Sequence, residues 1–245
     1  MNKPEYQRMA EKERTYWWHL GRLKIIKTYI ELANKTDKKI SILNVGCGTG
    51  GTIDLLESFG KVVNVDNSDD AIKFMKSSGY KNVTKVEGIG LPFANSSFDI
   101  VGAFDVLEHI DDDRGALAEW SRVLNPGGAV VLTVPAYQWL WSGHDEALYH
   151  KRRYTRRLIA STARDAGLVV ERSSYAVVFS LPLVIGFRLL NHIRRKAVNS
   201  ETSYVAVPNW TNGLFTRFLG LESKLHQKII FPAGTTVVAI LRKKS

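Results

Sequence analysis

The chain has 245 residues, 44% of them hydrophobic, enough to bury one sizeable core and too few for several large domains. Its 34 basic residues outnumber 24 acidic ones, and the net charge of +10 fits nucleic acid, an anionic membrane surface or an acidic substrate without separating them. One cysteine, Cys47, excludes an internal disulfide framework and fits a reducing compartment, and no cysteine/histidine cluster has zinc spacing, so no metal is expected.

The amino terminus, MNKPEYQRMAEKERTYWW, is polar and lacks the apolar core of a signal peptide. No run of 18 apolar residues predicts a spanning helix, so a cytoplasmic location is expected. Residues 5–34 predict helix, with Tyr16, Leu20, Leu23, Ile26, Tyr29 and Ile30 at helical spacing. Gly21 weakens the middle and predicts a joint between two helices there. A strand over 41–46 runs into a glycine turn, followed by a helix over 50–59 and a strand over 61–66. Ser68 or Asp69 caps the next helix and Gly79 closes it. Strands follow at 83–87 and 98–104, then a helix at 112–124 and a strand at 127–134. Thr155 caps a helix that stops at Gly167, and LVVERSSYAVV reads as the sixth strand. Residues 178–232 form an apolar and basic insert in which Ser180 is read as a helix cap and Pro182 as a first-turn residue. GTTVVAILRKK is the last strand. Strands alternating with helices predict an α/β fold with a mainly parallel sheet and right-handed crossovers.

The unit from Ile40 to Asn67 carries the most information. Glycine lets a backbone approach a ligand where any side chain would clash, and the following helix aims its first N–H groups at whatever is bound. Asp66 lies at the tip of the second strand, about 20 residues downstream, where an acid accepts hydrogen bonds from ribose hydroxyls. Gly46, Gly48 and Gly51 also match the dinucleotide pattern G-x-G-x-x-G, which alone leaves a dehydrogenase open.

Four ordered segments narrow the reading: ILNVGCGTGG, VEGIGLPFANSSFDIV, AFDVLEHI and LNPGGAVVLTVPA. Together they resemble motifs of the class I S-adenosylmethionine-dependent methyltransferases, most closely the small-molecule, type 11-like branch. That family uses Gly-x-Gly-x-Gly, here Gly46, Gly48 and Gly50. Asn44 stands where the family usually has an acid; it keeps an acceptor and loses a charge. The resemblance implies a Rossmann-like doubly wound sheet of order 3-2-1-4-5-7-6 with strand 7 antiparallel. It also implies S-adenosyl-L-methionine as cofactor and S-adenosyl-L-homocysteine as product. By resemblance the three glycines pass beneath the methionine part and Asp66 binds the ribose. Asn67 flanks the adenine, Glu87 and Gly88 face its edge, and Phe104 and Asp105 border the methionine amino group.

The chain reads as a single domain: a helical lid over 1–38, a core over 39–177, the insert over 178–232 and the last strand over 233–245. In the lid, Trp17 or Trp18 covers the cofactor while the other anchors to the core, and Arg22 pairs with the cofactor carboxylate. The segment YQWLWSGHDEALYHKRRYT leaves the carboxyl end of a strand, where open α/β sheets bind ligands. His144 and His150 there, and His109 after the fourth strand, are the candidates for taking a proton from the acceptor. The expected acceptor is small or lipid-linked. The insert predicts a helical pair that packs upon itself, forms a homodimer or roofs an acceptor pocket; the competing reading is peripheral contact with the inner membrane face through its apolar stripe and Arg188, Arg194, Arg195 and Lys196. Nucleic acid is not expected, because the Asn/Asp-Pro-Pro-aromatic tetrapeptide is missing. An RNA methyltransferase and a non-catalytic cofactor-binding module are the competing readings.

Overall fold

The computed structural model describes residues 3–36, 38–193 and 207–244. Its strands are β1 (Ile40–Val45), β2 (Gly60–Asp66), β3 (Val83–Lys85), β4 (Phe98–Phe104), β5 (Leu124–Pro135), β6 (Leu168–Ala176) and β7 (Thr236–Lys243). They form one sheet in the order β3-β2-β1-β4-β5-β7-β6. The pairs on the β3 side of β5 are parallel, and β7 inserts antiparallel between β5 and β6. The order and the antiparallel strand match the expectation.

The helices are α1 (Lys3–Thr15), α2 (Trp17–Ala33), α3 (Ile53–Glu57), α4 (Asp69–Ser77), α5 (Asp113–Val123), α6 (Gly143–Ala147), α7 (Arg156–Asp165), α8 (Ser180–Ile193) and α9 (Asn209–Leu225). Alternate strand residues feed two cores. Val130, Leu132 and Val134 of β5 meet Leu117 and Trp120 of α5 and Ile159 of α7. Ala129 and Val131 face the other way, toward Ile26, Tyr29 and Ile30 of α2 and Leu219 of α9. The period-two alternation of a strand requires helices on both faces when both sets are apolar. A smaller cluster of Cys47, Ile53, Ile72, Met75 and Val83 lies by the glycine turn.

Several boundaries differ from those read from sequence. The lid does break into two helices, but at Tyr16, whose backbone is extended at φ −86° and ψ 133°. Asn212 of α9 makes the break: its side-chain oxygen accepts from the Trp17 N–H at 2.8 Å and its amide donates to the Thr15 carbonyl at 2.9 Å. A distant residue supplies both helix ends with partners, which local sequence cannot reveal. Gly21 sits inside α2, where a Cβ would lie 2.0 Å from Leu219 Cδ1; the glycine is a notch for α9. α3 is shorter than the expected 50–59, because Gly50 to Thr52 are spent on the turn. β3 ends at Lys85, two residues early.

β5 begins at Leu124 rather than 127. Leu124 pairs with Phe98 and Ala129 with Ile100, so the Asn-Pro-Gly-Gly segment bulges within the strand, with Gly127 at φ 74°. Ser68 and Thr155 do cap α4 and α7, accepting from Ala71 N–H at 3.3 Å and Leu158 N–H at 3.1 Å. Ser180 does not cap α8: it is the first helical residue, and its hydroxyl donates back to the Val177 carbonyl at 2.8 Å.

The insert folds as α8 and α9. Arg194, Arg195 and Lys196 lie outside the described residues. Among the described residues no helix is long and apolar enough to cross a membrane.

Candidate functional site

The site is assembled at the carboxyl ends of β1, β2, β4 and β5. The chain leaves β1 through Gly46, Gly48 and Gly50, at φ 68°, 52° and 92°. Their open faces differ. A Cβ on Gly46 would strike Val106 at 2.4 Å and one on Gly50 would press on Met75 Sδ at 3.0 Å, whereas one on Gly48 would meet nothing within 4 Å. Gly48 is therefore the place where bare backbone fronts open space. Gly51, the third glycine of the dinucleotide pattern, serves another purpose. A Cβ there would lie 2.6 Å from the Glu13 carboxylate, so this glycine seats α1.

Asp66 ends β2 and is buried. Its Oδ2 accepts from Gly48 N–H at 2.8 Å and its Oδ1 from Ser68 N–H at 2.9 Å. One carboxylate thus sets both the turn and the start of α4. A carboxylate has about four acceptor positions, so two remain for a ligand. Cys47 is buried beside it, and burial with the Asp66 charge pushes the thiol up to about 12; it is a packed, inert residue.

Asn44 stands in β1, two residues before Gly46. It is buried, and its side-chain amide donates to Asn64 Oδ1 at 2.9 Å and toward Thr52 Oγ1 at 3.4 Å. It braces β1 against β2. An amide fits because Asn64 presents an oxygen there, which a carboxylate would repel.

At the tip of β4, Asp105 adopts φ 58°, a left-handed conformation that its short polar side chain tolerates. Its N–H donates to the Thr133 carbonyl at 2.9 Å and its Oδ1 accepts from Thr133 Oγ1 at 3.1 Å. Arg22 of α2 reaches it: Nε lies 2.9 Å from Asp105 Oδ2, and one terminal nitrogen donates to the Phe104 carbonyl at 2.8 Å. The Nε–Oδ2 contact is an ion pair off the hydrogen-bond direction, so both atoms stay buried without a hydrogen bond. Trp18 stacks on the guanidinium at 5.2 Å. Trp17, expected over the cofactor, instead joins the rings of Phe179 and Phe215 at 5.5 and 5.2 Å, and its buried Nε1 also has no partner among the described residues. The Phe104 side chain is in the core.

Past β3, Glu87 has an 87% exposed side chain, 3.6 Å from Lys85. Gly88 follows at φ 62° with nothing within 4 Å of a built Cβ, and Asn67 is exposed. Asn67 follows the end of β2, and Glu87 and Gly88 follow the end of β3.

The histidines separate into one pair and one outlier. His109 closes a single helical turn over Leu107–His109, and its ring meets that of His150 edge to face at 4.7 Å. His150 Nδ1 is 2.9 Å from Asp145 Oδ1. Asp145 is fully buried and receives Arg153 Nε at 2.7 Å, Arg153 Nη2 at 2.9 Å and Ser142 N–H at 2.8 Å. Burial opposes its ionisation, but His150 and Arg153 hold the carboxyl below the usual range. Burial, aided by His150 and opposed by Asp105, lowers His109 to about 4. His144 stands exposed on α6.

Three residues that sequence did not single out belong here: Glu13, Thr49 and Glu108. Thr49 donates to Glu13 Oε2 at 2.5 Å. Glu108 is completely buried and neither of its carboxylate oxygens has a hydrogen-bond partner among the described residues. Its signal was an acid between Leu107 and Ile110 immediately before a histidine.

Residues 43–132 match the family model described as "Methyltransferase domain". The chain is similar to the demethylmenaquinone methyltransferase of Lactococcus lactis, 37% identical over 115 residues that cover 40% of this chain and 46% of the relative. It is similar to the malonyl-[acyl-carrier protein] O-methyltransferase of Hahella chejuensis, 32% identical over 140 residues covering 52% and 50%. The chain thus spans about half the length of these curated relatives. A solved structure, of a candidate sarcosine dimethylglycine methyltransferase from Galdieria sulphuraria, superposes with a TM-score of 0.60 at 20% identity, over 92% of this chain and 86% of that one, and shows the shared fold. Residues 43–132 are thus a methyltransferase domain of the type 11 branch, and the sheet around them has the order and shape of the class I S-adenosylmethionine-dependent methyltransferases, whose cofactor is S-adenosylmethionine.

Proposed function

We propose that this chain moves a methyl group from S-adenosylmethionine to a small or lipid-like acceptor. The observation that carries the reading is the pair Arg22 and Asp105: two partly buried, oppositely charged groups at one strand tip, each with a buried atom lacking a hydrogen bond. An amino-acid end with a carboxylate and an ammonium fits such a pair, the carboxylate on Arg22 and the ammonium on Asp105. Gly48 offers backbone with no side chain before it, and Asp66 keeps free acceptor positions for ribose hydroxyls. Asn67, Glu87 and Gly88 complete the nucleoside side.

The cofactor supplies a methyl group already activated on a positive sulfur. The chain has to hold donor and acceptor in line and exclude water. α1 is tied to the turn at Thr49 and α2 to the tip of β4 at Asp105, which suits exclusion of water. Where the acceptor carries a proton, His144, His150 and His109 are the groups to take it; His109, near 4, is neutral at physiological pH. Beyond β5, Tyr137 stacks between Tyr175 at 4.8 Å and Trp139 at 5.4 Å, an aromatic platform suited to a planar or apolar acceptor. The relatives named for a quinone precursor and an acyl-carrier substrate favour acceptors of that kind.

Calorimetry with S-adenosylmethionine and, separately, a nicotinamide dinucleotide tests the cofactor; binding of the dinucleotide alone would overturn the reading. A screen of small acceptors and lipid extracts with radiolabelled methyl donor tests the transfer. Label appearing only in RNA would replace the acceptor class.

A further inference from the structure

Beside the methyl-transfer site lies a cluster that this reading does not use as a unit. Glu108, His109 and His150 each present a ligand atom, and those atoms lie within 4.8 Å of one another. Glu108 is the unusual member. Burying a carboxyl group without a hydrogen bond is expensive, and each such group in a native chain calls for an explanation, a bound ion among them. Both Glu108 oxygens are in that position among the described residues.

The histidines are oriented as ligands are. His150 Nδ1 is held by Asp145 at 2.9 Å, which leaves Nε2 for the cluster. Asp145 is in turn clamped by two nitrogens of Arg153 and by Ser142. The His109 ring meets that of His150 edge to face at 4.7 Å. A carboxylate behind an imidazole, as Asp145 stands behind His150, fixes the tautomer and ring angle that metal binding needs. The outer side of His109 is exposed, so the cluster has three protein donors and an open side.

We infer that Glu108, His109 and His150 form a binding site for one divalent transition-metal cation, held by two imidazoles and one carboxylate. Two bonds of about 2.0–2.2 Å span at most about 4.4 Å, so the set closes with small side-chain movements. The two-imidazole, one-carboxylate set suits Zn²⁺, Mn²⁺, Fe²⁺ or Co²⁺ and disfavours Ca²⁺ and Mg²⁺, which prefer oxygen donors. The cation's open side would accept an oxygen atom and lower the pKa of a bound hydroxyl, and the imidazoles would then serve as ligands rather than bases. The site goes beyond the methyl-transfer reading, since its three side chains are in place whatever the donor.

The test is cation titration of the full chain, stripped with chelator and free of any methyl donor. Calorimetry with Mn²⁺, Zn²⁺ and Co²⁺ should show one cation per chain, and Co²⁺ should add visible d–d bands. Glu108→Gln and His150→Asn should each weaken binding at least tenfold and abolish the bands, while Asp145→Asn, a positioning change, should weaken it about 10–100-fold. Glu108→Gln keeps the shape of a side chain that has no hydrogen bond to lose among the described residues, so the metal-free variant should unfold no lower than the metal-free parent. His150→Asn gives the same answer should that variant fail to fold. A folded parent that takes up no cation, or variants that bind as it does, would overturn the site. S-adenosylmethionine binding measured on the stripped chain reports on the other reading separately.

Discussion

The Thr49 hydroxyl donates to the Glu13 carboxylate across 2.5 Å, joining the first helix to the glycine turn. Glu13 lies so close to Gly51 that any side chain at 51 would displace it. The lid is therefore anchored to the very loop over which the cofactor is proposed to sit, and the two must adjust together.

Lid docking should depend on pH. Burial raises the Glu13 carboxyl above its ordinary value, against the opposing Thr49 hydrogen bond, Arg22 charge and Gly51 N–H. A group whose pKa is raised in the docked state binds its proton more tightly there than in the open state. Docking is thus strongest below the ordinary carboxyl pKa and weakens as pH climbs through the raised one. Protection factors at the amides of residues 50–52 should fall over that range, and Glu13→Gln should hold them level. Equal pH dependence in the two proteins would refute the coupling.

Asp66→Ala should weaken S-adenosylmethionine binding by about 1–3 kcal/mol, roughly 5–150-fold. It should also lower the melting temperature, because Gly48 N–H and Ser68 N–H lose their acceptor. A dissociation constant that stays put in calorimetry would place the ribose elsewhere.

Substitutions at Gly46 and Gly48 should separate stability from binding. Both glycines are left-handed, so alanine costs about 1–2 kcal/mol at either. At Gly46 the collision with Val106 adds about 1–3 kcal/mol. At Gly48 the new methyl meets open space, so Gly48→Ala should melt only a few degrees low yet lose more than about tenfold in cofactor affinity, a margin of about 1.4 kcal/mol. Paired melting and titration curves check this; unaltered affinity in Gly48→Ala would mean that no ligand approaches there.

Gly21→Ala reverses a familiar rule. In a free helix the change gains about 1 kcal/mol. Here the Cβ would sit 2.0 Å from Leu219 Cδ1, and overpacking of that kind costs about 1–3 kcal/mol. The variant should therefore melt lower than the parent, and the double change with Leu219→Ala should lose less than the sum of the single losses. Strictly additive melting shifts would show that the two helices do not meet at this point.

The order of strands, the caps at Ser68 and Thr155, the left-handed glycines and Asp66 at a strand tip were legible because each depends on residues close in the chain. Hydrophobic period, capping chemistry and glycine conformation are local properties, and four ordered segments sufficed to identify the family. Other features depend on partners far away. Asn44 looked like a missing acid until Asn64 was seen 2.9 Å from it. Gly21 looked like a breaker until Leu219 filled the space where its side chain would be, and the true break at Tyr16 is made by Asn212, nearly 200 residues on.

By itself the sequence determined the architecture, the cofactor class and the residues at the strand tips, since periodicity and turn chemistry act over a few residues at a time. Only the tertiary structure decided that Arg22 meets Asp105, that Glu13 is seated on the turn and that Glu108 is stranded between two histidines. Those are relations between charges brought together across long loops, and their energies depend on burial and distance, which exist only once the chain has folded.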